Sequence, residues 1–119
     1  MAIKENIHDL NNMIVQGKLL EAFEKFYAND VVMQENSEPP RIGKDKNREF
    51  EKQFVASVQK IHDAKVNAIA YNEDTSVSMV EWEFDMTFKD GKRSKMSQVC
   101  VQKWKGGKIT HERFFYNSH

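Results

Sequence analysis

The sequence predicts an α+β domain in which three N-terminal helices pack on one face of a curved antiparallel sheet. Apolar residues recur at helical spacing through the first half of the 119-residue chain, and the second half switches to long β-prone runs separated by turn pairs. Helices followed by strands, rather than alternating with them, favour α+β over a parallel α/β layout.

Ile3, Ile7, Leu10 and Ile14 fall on one helical stripe that ends before Gly17. Leu19, Leu20, Phe23, Phe26 and Tyr27 continue a helical pattern until Asn29 and Asp30 supply turn chemistry. Val31 to Glu35 reads as a short strand, stopped where Pro39 and Pro40 remove backbone donors. From Lys44 to Val58, Phe50, Phe54 and Val58 repeat every four residues and mark a third helix. Lys65 to Tyr71, Val77 to Phe88, Ser94 to Trp104 and Ile109 to Tyr116 then form a four-stranded meander, turning at Asn72 to Asp74, Asp90-Gly91 and Gly106-Gly107.

The composition, 39% hydrophobic and 11% aromatic, suits one domain over residues 1–119 with its own core and excludes global disorder. Eighteen basic and eighteen acidic side chains cancel, so no long-range field draws the surface to nucleic acid or anionic lipid. The lone Cys100 excludes an internal disulfide framework and a cysteine-rich zinc site, which fits the cytoplasm. Met1 to Asn6 lacks a signal-peptide apolar run, and no stretch approaches the roughly 20 apolar residues of a membrane span.

Two-residue turns at Asp90-Gly91 and Gly106-Gly107 would set Trp82 opposite Val99, Val80 opposite Val101, and Val99 opposite Phe114. That register gathers Val80, Trp82, Phe84, Met86, Val99, Val101, Phe114 and Tyr116 on an inner apolar face, with Glu112 as an anomaly among them. A bulge in either hairpin would reverse part of it. Cys100, Glu81, Glu83, Gln98 and Gln102 then fall on an outer polar face.

No phosphate-loop spacing surrounds the Gly-Lys pairs, and His8, His62, His111 and His119 lack metal-ligand spacing, so no metal site is expected. The lysine clusters near the hairpin turns sit at opposite ends of a meander and do not form one groove for a phosphate backbone. What remains is a carboxylate inside an apolar cone. Alternation along the first strand turns Val31, Met33 and Glu35 inward, and a carboxyl desolvated there is prepared for proton transfer near neutral pH. Glu35, at the strand end, could instead curl into solvent or pair with Arg41 or Lys44. Glu112 either lines the cavity opposite Glu35 or pairs with Arg113. Tyr27, Met33, Phe54, Trp82, Phe84, Val99, Phe114 and Tyr116 are the expected ligand-contacting walls, with the two tyrosine hydroxyls able to orient a ligand carbonyl.

The run from Gly17 to Glu35, Gly43-Lys44 opening a helix, and the ending Trp104 to Tyr116 together resemble SnoaL-like domains of the nuclear transport factor 2-like superfamily. That resemblance implies a cone-shaped, cystatin-like α+β barrel and relatives such as ketosteroid isomerase, polyketide cyclases and dehydratases. It sets Glu35 at the isomerase's general-base position and turns Cys100 inward, against the hydrophobic sorting above. The isomerase's oxyanion-hole residues would fall near Leu10 and Cys100 and do not carry over. The expected function is binding of a small apolar molecule, with cofactor-independent isomerase, cyclase or hydratase/dehydratase chemistry through Glu35 and Glu112. The alternative is a noncatalytic ligand-binding or dimerisation module. The family resemblance also implies a homodimer through the outer sheet face.

Overall fold

The computed structural model describes residues 2–117, so the histidine reading at His119 falls outside the described residues. The helices are α1 (Ile3–Val15), α2 (Leu19–Phe26) and α3 (Lys44–Ser57). The strands are β1 (Tyr27–Glu35), β2 (Arg41–Ile42), β3 (Val58–Asn72), β4 (Val77–Phe88), β5 (Arg93–Lys105) and β6 (Lys108–Tyr116), forming one sheet in the order β2-β1-β6-β5-β4-β3. The α+β class, the three N-terminal helices and the antiparallel meander agree with the sequence expectation. The exception to antiparallel pairing is β1 alongside β6, which is parallel.

Each helix is seated by its apolar stripe. In α1, Ile3, Ile7 and Leu10 are buried, and the helix ends in a Schellman motif in which Lys18 N–H donates to Met13 O at 2.9 Å and Gly17 N–H to Ile14 O at 3.0 Å. Gly17 takes φ +81°, a conformation that favours glycine. The start of α1 is held from far along the chain, because the Glu73 carboxylate accepts from Ile3 N–H at 3.1 Å and Lys4 N–H at 3.3 Å. Phe23 and Phe26 bury the inner side of α2. At the β1–β2–α3 junction the fully buried Asn47 donates to Arg41 O and Gly43 O while its Oδ1 accepts from Arg41 Nε at 3.0 Å.

The sheet departs from the expected register in an instructive way. The β4–β5 loop holds three residues, with Gly91 at φ +89° and Phe88 N–H donating to Lys92 O at 2.8 Å. One extra loop residue moves the pairing by one, so Val80 faces Cys100, Trp82 faces Gln98 and Phe84 faces Met96. Every β5 side chain therefore changes face. The Gly106-Gly107 turn does begin as expected, with Lys105 opposite Lys108 and Trp104 opposite Ile109, but a bulge then sets Lys103 opposite His111. This second one-residue shift cancels the first. Glu112, Phe114 and Tyr116 consequently share the inner face with Gln102, Cys100 and Gln98, while Val99 and Val101 point outward. Further irregularities along β3–β4 bend the long strands around the helices. Two boundaries also differ: β3 begins at Val58 rather than Lys65, and β1 begins at Tyr27 rather than Val31.

Candidate functional site

A cavity of about 650 Å³ lies between the helices and the inner sheet face. Its walls are largely aromatic and aliphatic, with Trp82 stacked on Phe84 at 5.1 Å and Phe23 on Tyr27 at 4.9 Å between ring centroids. Three carboxyls, from Glu35, Glu51 and Glu112, line it.

Glu112 is 1% exposed and sits on β6 beside Met33 of β1. Its Oε1 accepts from the Tyr27 hydroxyl, and its Oε2 accepts from Gln102 Nε2 at 2.7 Å. Behind Gln102 the network continues through Ser78 Oγ, which donates to Gln102 Oε1 at 2.7 Å and accepts from Trp104 Nε1 at 2.9 Å. This chain fixes the Gln102 amide with its NH₂ toward Glu112, so both carboxyl oxygens meet donors. Loss of water pushes the Glu112 carboxyl up to about 7, overcoming the opposing pull of the Tyr27 and Gln102 hydrogen bonds, and the nearby Glu35 charge adds to the rise. Burial and the adjacent Glu112 hold the Tyr27 phenol well above its ordinary range, so it stays a donor. The same two causes push the Cys100 thiol up, which leaves it a neutral wall.

Glu35 differs. Its Oε2 is bound by Arg41 at 3.0 Å and its Oε1 accepts from the Tyr116 hydroxyl at 3.3 Å, so the ion-pair alternative raised for this residue is the one the structure contains. Arg41 is itself committed to Asn47 and lies over the Phe50 ring at 3.6 Å. Of the two alternatives for Glu112 the structure holds the first, since the side chain lines the cavity, although beside Glu35 rather than opposite it, and it does not pair with Arg113. The two carboxyls project from adjacent strands on one wall, and Arg113 turns outward to donate to Asn36 O at 2.8 Å.

Tyr27, Met33, Phe54, Trp82, Phe84, Phe114 and Tyr116 line the cavity. Val99 does not, because the three-residue β4–β5 loop turned it to the outer face opposite Phe115. Sequence reasoning missed Glu51, Asn47 and Gln102. Glu51, on α3, is nine-tenths buried and loss of water pushes its carboxyl up to about 8, with the Glu112 and Glu35 charges raising it further and Arg41 opposing. Among the described residues it has no hydrogen-bond partner. Its signal lies in the Asn47, Glu51, Phe54, Val58 stripe, at spacings of four, three and four, which shares Phe54 and Val58 with the more apolar Phe50 row. His8, His62 and His111 lie on α1, β3 and β6, and the described residues contain no group of three or more side chains placed to hold a metal ion. Among the described residues no helix is long and apolar enough to cross a membrane.

Comparison with known proteins agrees with this architecture. No curated protein matches the chain in sequence. A crystal structure from Mesorhizobium loti, provisionally named a SnoaL-like polyketide cyclase and also labelled a carbohydrate phosphatase, is 30% identical, with 98% of this chain and 100% of that one aligned at a TM-score of 0.85. A provisionally named isomerase from Bacillus subtilis shares the fold at 14% identity and TM-score 0.79, over 95% of this chain and 84% of that one. So does a protein of ketosteroid isomerase-like fold from Catenulispora acidiphila, crystallised with trimethylamine, at 11% identity and TM-score 0.77 over 95% and 85%. The SnoaL-like domain family model matches residues 1–116, and with the cone-shaped α+β architecture this makes the chain a member of that family within the nuclear transport factor 2-like superfamily.

Proposed function

We propose that this protein binds a small, largely apolar molecule in the cavity and moves a proton on it, in a reaction of isomerase, cyclase or hydratase/dehydratase type. One observation carries the reading: Glu112 is a buried carboxyl held near 7 at the wall of an apolar cavity, so both of its protonation states are accessible at neutral pH. Tyr27 and Gln102 each occupy one lone-pair direction on its two oxygens, and a carboxylate oxygen has a second. A substrate C–H or O–H proton would transfer to that second position and return from it. Glu35, fixed by Arg41, and the Tyr116 hydroxyl would orient the polar end of the molecule. The phosphatase label of the M. loti relative suits this cavity poorly, since a phosphate would face three carboxyls. The chemistry proposed needs no cofactor.

A noncatalytic binding role is the second reading, favoured by the fact that both Glu112 oxygens already have protein donors. The two separate in a deuterium-exchange test. A panel of small enolisable ketones, neutral and amine-bearing, is incubated with the protein in D₂O and followed by NMR. Protein-dependent exchange should fall roughly 100-fold or more in Glu112→Gln while ligand binding persists. Equal exchange in parent and variant would leave the binding reading.

We further propose a cytoplasmic protein that forms a homodimer. The lone buried thiol suits a cytoplasmic setting. A homodimer through the outer sheet face is supported by Met79 and Phe115, which are 45% and 42% exposed there beside Val99 and Val101.

A further inference from the structure

We infer that the molecule held in this cavity carries one protonated amine, and that Glu51 receives it. The inference rests on the cavity reading above and names the chemistry of its occupant.

Glu51 is the one cavity carboxyl whose polar end is unclaimed. Glu112 is bonded by Tyr27 and Gln102, and Glu35 by Arg41 and Tyr116, whereas Glu51 is nine-tenths buried, lines the cavity and has no hydrogen-bond partner among the described residues. The charged groups around it leave a deficit of positive charge. From β1 come Glu35 and Tyr27, from β2 Arg41, from β3 the rim residue Lys60, from β5 Cys100, and from β6 Glu112 and Tyr116. On the α2 side, Glu24 is turned away onto Arg48 and Lys44. Arg41 is already bound to Glu35 and stacked on Phe50, so no buried cation remains for Glu51. The carboxyls are not gathered as metal ligands among the described residues.

An ammonium group supplies what is missing. It would form a charge-assisted hydrogen bond with Glu51, and the Trp82–Phe84 and Phe23–Tyr27 rings offer aromatic faces to its alkyl substituents. Burial keeps the Glu51 proton on, with the carboxyl at about 8, so an incoming ammonium ion displaces that proton to solvent. Charge balances: the cation stays a cation, the acid becomes a carboxylate, and one proton leaves. Affinity must then rise with pH across the range in which Glu51 would otherwise hold its proton.

The probes are N,N-dimethylbenzylamine, a cation at neutral pH, and acetophenone, a neutral ketone of similar size. Each is titrated calorimetrically into the full chain at about pH 6.5 and about pH 8, in two buffers of different ionisation enthalpy, so that released protons are counted. The amine should bind roughly tenfold or more tightly than the ketone at the higher pH, with weaker binding at the lower pH and net proton release. Glu51→Gln should lose most of that preference and release while its ketone affinity stays within about twofold. Should Glu51→Gln fail to fold, Glu112→Gln takes its place: amine preference and proton release that persist in it support Glu51 as the receiver, and their loss overturns the assignment. Tighter ketone binding, or amine binding indifferent to pH, overturns the inference and leaves the proton-transfer reading standing on its deuterium test. Failure of both probes to bind overturns the inference, and absence of any ketone exchange would take the proton-transfer reading with it.

Discussion

A carboxyl stripped of water is costlier charged than neutral, and two residues in this protein bear that cost at once. Glu112 is held near 7 and Glu51 near 8, against 4.5 for an ordinary glutamate, with burial the main cause of each rise. Between those values the folded chain binds more protons than the unfolded chain. The stability tied to these protons is therefore fully present below about pH 4.5 and is lost as pH rises through about 7 and 8. Thermal unfolding should occur at a lower midpoint at pH 9 than at pH 5, and Glu51→Gln should flatten that slope, gaining roughly 1–3 kcal/mol over the parent at the alkaline end. Identical slopes in parent and variant would mean that Glu51 is solvated. Sequence exposed one member of this pair, because Glu112 interrupts an otherwise apolar strand pattern. Glu51 was hidden by composition: α3 carries so many charges that one more glutamate on its inner stripe looks like the solvated face.

The strands show how a site can be legible while its hairpins are not. Counting residues from Asp90-Gly91 as a two-residue turn misplaces all of β5, because the left-handed residue at Gly91 closes a three-residue loop instead. The bulge before Trp104 restores the phase, so Glu112, Phe114 and Tyr116 face inward as alternation suggested, while Val99 and Cys100 exchange sides. Hydrophobic sorting failed at β5 because this strand puts valines outside and glutamines inside. The family resemblance, which turned Cys100 inward, had that face right. The outward valines have a consequence for assembly. Rows Met79–Val101–Arg113 and Glu81–Val99–Phe115 cross the outer face, replacing the all-polar surface expected from Glu81, Glu83, Gln98 and Gln102. Sedimentation should report a dimer at concentrations of about 10–100 μM, weakened roughly tenfold or more by Phe115→Glu. A monomeric parent at those concentrations would remove the dimer proposal.

For the molecule as a whole, the order of elements was readable and the enclosure was not. Helical and strand periods, glycine turns and the proline stop fix an α+β layout from local chemistry alone. The cavity depends on long-range events: β1 running parallel to β6, Asn47 tying α3 to the β1–β2 turn, and bulges curving β3 over the helices. Together they bring Tyr27, 85 residues away in the chain, against Glu112 and its hairpin neighbour Gln102 in one dry network. In this network Glu112 holds a proton that is exchangeable at neutral pH. The decisive measurement is carboxyl-resolved NMR titration of the wild-type protein, with Glu112→Gln to assign the signal. Glu112 should show a midpoint near 7, whereas a midpoint at or below the 4.5 of an ordinary glutamate would mean a carboxylate ionised throughout the neutral range and no buried proton to exchange.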